Sequence, residues 1–584
     1  MKASPVDPLN ADGATPREAA GLRPAWRWLA GFVRPYAARL AAVLMLSVLG
    51  TGLALAQPYI TRYLIDDGLL AGRMDVILVL CAVLVATAAT GALLTGLNRW
   101  QYVDASARIL FALREAVYAH LQRLSPTFYS RVRGGDVMQR LDGDVGEVQR
   151  FAVDGLLALV NGVIALTGTL ILMVTLSWQL SLLALLVLPA QLLFLRHMRP
   201  RVESRTREVR ERASDLSSFI VEALAAMKLV QSVGAEHRQS ERLRELHGEY
   251  RDDLLRQQMT GYVTTAVPGL MTVASTALVF VIGGWMVIEG ALSLGALVAF
   301  SIYLARASGP VQTLLGLYVA VRRAMVSLER VMAIMDAPPA VSVPATPRPL
   351  PAGAAGEVVL EQVSFAYAGS AQPVLRDLSA AFSSGRKTGL VGASGVGKST
   401  LIDLMHRHYD PDSGRILLDG VDLRALDLAE LRRRIAVVAQ DTVLLTGSII
   451  DNIRYAAPWA EEDGVLQAAR SARVDEFAER LPDGYHSQVG SGGAALSGGQ
   501  RQRIAIARAL LQDPLVLILD EATAAIDLET ESSIGRAIDA LFADRTRIVI
   551  SHRAETLAGA DAIFDMNDGR LEPRAPLGPA RSLP

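Results

Sequence analysis

Over its first 320 or so residues the chain alternates between long apolar runs and polar stretches rich in arginine. The uncharged runs are Leu40–Thr61, Val76–Asn98, Gly155–Leu195 and Gln257–Ile288, followed by Gly290–Val321, which only Arg306 interrupts. A membrane-spanning helix needs about 20 mostly apolar residues. Gly155–Leu195 has room for two such helices, with a turn expected at SWQLS, Ser177–Ser181, where the tryptophan suits a membrane interface. Six spans are therefore predicted. In Ile220–Val233 apolar residues recur every three or four positions, so the spans are expected to continue as polar helical rods beyond the bilayer.

The connections also alternate. Arg99–Arg150 and Arg196–Arg256 are long and rich in arginine, whereas Arg62–Asp75 and Glu289–Ser293 are short and carry little positive charge. The positive-inside rule puts the arginine-rich segments, the N-terminus and everything after Arg322 in the cytoplasm. Arg306 falls halfway along the sixth run, where a charge is costly. Two readings stand: a cavity-lining residue that senses substrate, or a partner for a neighbouring helix. Pro310 is expected to kink that helix, because it lacks a backbone donor.

Composition narrows the class. Hydrophobic residues make up 51% of the 584 positions, and the mean hydropathy is +0.30. The formal net charge is −1, so no basic excess points to nucleic acid. Cys81 is the only cysteine, which excludes an internal disulfide. The expected domains are a polar tail over 1–25, which lacks the apolar core of a cleaved signal, a transmembrane domain over 26–335, and a proline-rich linker over 336–356. A soluble α/β domain over 357–574 and a short tail over 575–584 follow.

The α/β domain carries the chemistry. GASGVGKS, Gly392–Ser399, fits the phosphate-binding pattern G-x-x-x-x-G-K-[ST] and lies between an apolar strand and a helix start. Its glycines, Gly392, Gly395 and Gly397, let backbone N–H groups turn inward, and the helix N-terminus adds partial positive charge. Lys398 faces the β- and γ-phosphates, and the Ser399 hydroxyl is a candidate Mg²⁺ ligand. LVLILDE, Leu515–Glu521, reads as a buried parallel strand ending in two acids. Asp520 is placed to hold Mg²⁺, and Glu521 to act as general base on the attacking water. LSGGQ, Leu496–Gln500, reads as a second phosphate turn about a hundred residues downstream.

These motifs, with RHYDPDSGRILLDGVDL (Arg407–Leu423), AQDTVLLTGSIIDNI (Ala439–Ile453) and IEGALSLGALVAFSIYL (Ile288–Leu304), resemble those of ABC transporters of the exporter type over roughly residues 25–575. The resemblance implies a half-transporter: an all-α six-helix transmembrane domain followed by an α/β P-loop ATPase domain of ABC type, hydrolysing ATP with Mg²⁺. It implies that Tyr367 stacks on adenine and that Ser394 and Thr400 belong to the phosphate cradle. Gln440 would touch Mg²⁺ and water, Asp527 would link two sites across a dimer, and His552 would contact the γ-phosphate. Ser497, Gly498, Gly499 and Gln500 would close over a nucleotide held by another copy. Short coupling helices are expected around Arg114–Tyr129 and Glu222–Val233.

Two departures from the family pattern are visible. Ala524 replaces a usual serine, and Ser491 and Gly492 replace a usual charged pair. The intact nucleotide motifs favour a homodimer in a bacterial inner membrane, exporting a drug-like compound, lipid or natural product. The alternatives are one half of an obligate heterodimer, or a membrane ATPase that gates a partner. A soluble DNA-repair ATPase shares the nucleotide motifs but not the spans.

Overall fold

The structure is a computed structural model describing residues 22–132, 134–368, 370, 372–521, 528–551 and 553–574. The described residues form two compact units, one of residues 22–119 and 134–336, the other of residues 120–132 and 337–574.

The first unit has six helices long and apolar enough to cross a membrane: Pro24–Leu69, Met74–Leu121, Gly134–Leu176, Trp178–Ala225, Glu236–Ile288 and Leu294–Met335. They are 42 to 53 residues long. At 1.5 Å per residue that is roughly 60–80 Å, about twice the hydrocarbon thickness, so the spans do continue as rods. The apolar heart of this unit joins Met173, Leu180, Val279, Phe300 and Tyr303 from spans three to six.

Several junctions differ from the sequence expectation. The turn in SWQLS is a single extended residue, Ser177, whose side chain accepts from Leu180 N, so the fourth span already starts at Trp178. The pattern at Ile220–Val233 is two helices, because Ala226 leaves helical geometry (φ −94°, ψ 14°) and Met227–Ser232 starts anew. An ordered helix begins at Leu22, inside the stretch read as a tail.

Arg306 reaches the neighbouring first span. Its Nη1 donates to Ala54 O at 2.8 Å and its Nη2 to Gln57 Oε1 at 3.3 Å, both on the first span. The sixth helix runs on through Pro310. At its start, the Asp66 carboxylate accepts from Ser293 Oγ (2.6 Å) and Gly295 N (2.8 Å), placing an anion on the helix N-terminus. Gly295 permits this approach, since a Cβ there would lie 2.4 Å from Arg62 O.

The second unit holds two sheets. Strands β1 (Val358–Phe365), β2 (Leu375–Phe382), β4 (Ser413–Leu418) and β5 (Val421–Asp422) form an antiparallel sheet in the order β2-β1-β4-β5. Strands β3 (Lys387–Val391), β6 (Ile435–Val438), β7 (Val516–Asp520), β8 (Thr546–Ile550), β9 (Ala562–Asn567) and β10 (Arg570–Arg574) form the other, in the order β10-β9-β3-β8-β7-β6. All its pairings are parallel except β9–β10. Strands β3, β7 and β8 are almost wholly buried, their apolar runs Gly389–Val391, Val516–Leu519 and Ile548–Ile550 lying where both faces of the sheet are covered.

Residues 120–132, which leave the second span and lead to the third, fold with this unit. They include a short helix, Pro126–Arg131, capped by Ser125. Thr127 N donates to the Tyr409 hydroxyl at 3.1 Å, and Arg131 donates to Ala368 O. Ala340 N donates to Arg123 O at 3.0 Å, tying the start of the linker to the same segment. Residues 120–132 thus interrupt the first unit in sequence and fold with the second.

Candidate functional site

The parallel register brings the nucleotide motifs into one row. Leu390 of β3 pairs with Ile550 of β8, Ile550 with Asp520 of β7, and Leu519 of β7 with Val438 of β6. The carboxyl ends of these neighbouring strands lead into Gly392–Ser399, Asp520–Glu521 and Gln440, at the edge where open α/β sheets hold ligands. His552, the residue two past β8, lies outside the described residues, as do Asp527 and Ala524.

The loop after β3 is built for close backbone approach. Gly392, Gly395 and Gly397 have φ of +149°, +81° and +113°, values that side-chain-bearing residues rarely adopt. A Cβ at Gly392 would meet Met566 O at 2.5 Å, and one at Gly397 would meet Leu375 Cδ2 at 2.8 Å. Lys398 opens the helix Lys398–Met405 and is buried, its Nζ donating to Gly392 O (2.6 Å) and Ala393 O (2.9 Å). The loop thus curls around a full positive charge, the cradle a polyphosphate needs. Ser394 and Ser399 are exposed along it, and Thr400 is buried behind it.

Opposite the cradle stand the acids. Burial, then the charge of Glu521, raises the Asp520 carboxyl above its usual range, while Lys398 pulls the other way. Burial and the Asp520 charge push Asp403, on the cradle helix, up to about 6. Glu521 has left-handed backbone geometry (φ 46°), and its N–H donates to Ile550 O at 3.0 Å. Its Oε2 accepts from Gln440 Nε2 at 3.0 Å, across the β6–β7 boundary. Sequence reasoning missed Asp403, for which helix periodicity after Lys398 was the available signal.

Tyr367 is half-buried. Its hydroxyl bonds Thr400 Oγ1 at 2.9 Å, and its ring packs edge-on against Phe365 and Tyr409. Ser497 is exposed at the start of Gly498–Gln512. Its Oγ accepts from Gln500 N (3.3 Å), while Gln500 Oε1 accepts from Ser497 N (2.8 Å), a reciprocal cap. Gly498 and Gly499 form the first turn, whose N–H groups have no partner within the helix.

A basic knot closes the cradle helix, again unseen in the sequence. Arg407 is fully buried, with Nε donating to Asp410 (2.9 Å) and Nη2 to Ser342 O (2.6 Å). The His406 and His408 rings lie 5.0 Å apart beside Arg432. Burial, then the neighbouring positive charges, holds His406 down to about 3 and His408 to about 4. Both rings therefore stay neutral in the folded chain well below their unfolded pKa of about 6.5. As pH falls below that value the unfolded chain binds more protons, so this contribution is complete above about 6.5 and is lost toward 4. The unfolding midpoint should fall between pH 7 and 5. It should fall less steeply in His406→Gln/His408→Gln, as measured by thermal scans of both proteins.

A phosphate cradle, a base-bearing strand and a capped glycine turn, on a chain with six spans, define a membrane-spanning P-loop ATPase. Residues 40–311 match the ABC transporter transmembrane region, and residues 375–524 match the ABC transporter family. A Bacillus subtilis protein provisionally named a multidrug export ATP-binding/permease protein is 31% identical over 553 residues, covering 92% of this chain and 94% of that one. The ATP-dependent lipid A-core flippase of Chromobacterium violaceum is 32% identical over 538 residues, covering 91% of each. A bacterial Atm1-family ABC exporter, solved with ATP bound, superposes with a TM-score of 0.75 at 28% identity, over 92% of this chain and 94% of that one. The chain belongs to the ABC transporter family, as an exporter-type half-transporter. It is a multi-pass membrane protein that binds and hydrolyses ATP to drive export.

Proposed function

We propose that the chain works as a homodimer in a bacterial inner membrane, with its ATPase domain in the cytoplasm, and exports an amphipathic or apolar compound by alternating access. The observation that carries the coupling is the folding of residues 120–132 into the nucleotide-binding unit through Thr127 and Tyr409. Motion of that unit then pulls directly on the ends of spans two and three. The names of the two relatives support cargo of this class, a drug-like compound, a lipid or a natural product.

In this reading Lys398 and the N–H groups of Gly392–Thr400 hold the phosphates, and Tyr367 meets the adenine. Glu521 takes a proton from the attacking water, oriented by Gln440. His552 contacts the γ-phosphate and Asp527 joins the two sites. The closing hydroxyl is that of Ser497, which with Gly498, Gly499 and Gln500 covers the nucleotide of the partner copy. Mg²⁺ suits the site, because Asp520 and its neighbours crowd negative charge there. Ser399, Gln440 and Asp520 would hold it, and it would offset phosphate charge. Among the described residues no group of three or more His, Cys, Asp or Glu is placed to hold a metal ion, which accords with an ion that keeps most of its ligands from phosphate and water.

The test is the chain purified alone and reconstituted in liposomes with its ATPase domain outside. ATP hydrolysis and inward movement of an amphipathic dye should both appear, and the movement should stop in Glu521→Gln. An inactive chain that recovers on adding a second, different half-transporter would overturn the homodimer. Robust hydrolysis that moves none of a panel of drugs and lipids would favour a regulatory ATPase.

A further inference from the structure

The helix Leu22–Val33 lies just before the first apolar run and leaves a cleft against the third and sixth spans. The cleft measures about 760 Å³, within the roughly 300–1,000 Å³ typical of small-ligand sites. Its walls are almost wholly apolar, from Trp26, Phe151, Leu156, Leu159, Leu317 and Val321. Trp26 meets Phe151 edge-on at 5.9 Å, fixing one side.

Two cations line the same cleft, Arg27 and Arg34, both exposed. Neither has an acidic partner among the described residues. The carboxylates of neighbouring elements are already engaged. Glu147 lies 3.3 Å from Arg150 and 3.7 Å from Arg323, Asp104 pairs with Arg39 and Arg108, and Asp154 accepts from the Tyr102 hydroxyl. An apolar cavity with two uncommitted guanidinium groups, at the point where the chain enters the membrane, calls for a ligand with a hydrocarbon body and an anionic head. Arginine suits that position because its aliphatic stem lies along apolar surface while its head reaches the interface. The 21 residues before the helix are a poor filling, since Met1, Val6 and Leu9 are their only large apolar side chains.

We propose that this cleft binds an anionic phospholipid, its acyl tail between the N-terminal helix and spans three and six, and its phosphate between Arg27 and Arg34. The bound lipid would fasten the N-terminal helix to the two spans, whichever cargo the transporter moves.

The full-length chain in neutral detergent, dosed with equal phosphatidylglycerol and phosphatidylcholine and weighed intact, tests this. The wild type should retain phosphatidylglycerol over phosphatidylcholine by roughly thirty-fold, given the attraction of anionic lipid for two arginines. Arg27→Gln/Arg34→Gln, a change at exposed positions, should bring the ratio to near one. Ala152→Phe, which fills the cleft, should lower retention of both lipids. Equal retention by the wild type, or an unchanged preference in the charge variant, would overturn the proposal. So would a rise in retention on deleting residues 1–21, because Asp7, Asp12 and Glu18 would then be the natural occupants. If Ala152→Phe changed the proportion of dimer and left lipid retention alone, the cleft would belong to a second copy instead.

Discussion

Glu521→Gln should lower ATP hydrolysis by about 10²–10⁴-fold, the range lost with a general base, while ATP still binds. The change is nearly isosteric, and the surroundings tolerate it. The backbone at 521 is held by its N–H to Ile550 O at 3.0 Å. Gln440 donates its amide to Glu521 Oε2 at 3.0 Å, a bond that a side-chain carbonyl accepts equally well. What disappears is the group able to take a proton from water. Phosphate release from the reconstituted chain, measured beside retention of labelled ATP, separates the two effects. Hydrolysis within ten-fold of the wild type would mean that another group, with Asp520 the nearest candidate, takes the proton.

Ser497→Arg should abolish hydrolysis by the full transporter but leave ATP binding by a single domain nearly intact. Two effects must be separated here. Ser497 caps the helix Gly498–Gln512, so losing it costs about 1 kcal/mol of local stability. Ser497→Asp restores the cap, because aspartate accepts the same N–H bond, yet it sets a negative charge against the partner's γ-phosphate. Both variants should lose at least about a hundred-fold in hydrolysis, as when a donor to developing negative charge is removed, whereas only the arginine variant should melt earlier. If Ser497→Asp hydrolysed ATP normally, the serine would be a helix cap and nothing more.

The parts of this protein that were legible in the sequence are those written in consecutive residues. The spans showed because an apolar run records its own environment, and the cradle showed because its glycines and lysine are contiguous. The breaks at Ser177 and Ala226 were less plain, since each depends on a single residue's backbone angles. Long-range pairing was hidden. Nothing in the tract beginning RHYDP shows that Arg407 is buried against Ser342 O, or that His406 and His408 are kept neutral. The Gln440–Glu521 bond follows from β6 lying beside β7, a neighbourhood set by sheet order. Arg306 was legible as a costly charge, but only the fold shows that it reaches Ala54 O and Gln57 on the first span.

The bond from Thr127 to Tyr409 is asymmetric in what it asks of each side. The nucleotide-binding core supplies a particular side chain, the Tyr409 hydroxyl, while the loop between spans two and three supplies a main-chain N–H. Every amino acid except proline offers that group. The loop can therefore change its side chain at 127 and keep this bond, so long as the short helix holds its shape without the 2.8 Å bond between Thr127 Oγ1 and the capping Ser125 Oγ. Substitution at 127 should then leave the loop seated on the core, whereas Tyr409→Phe removes the acceptor, and Arg131, whose guanidinium donates to Ala368 O, is the loop side chain that the joint does use.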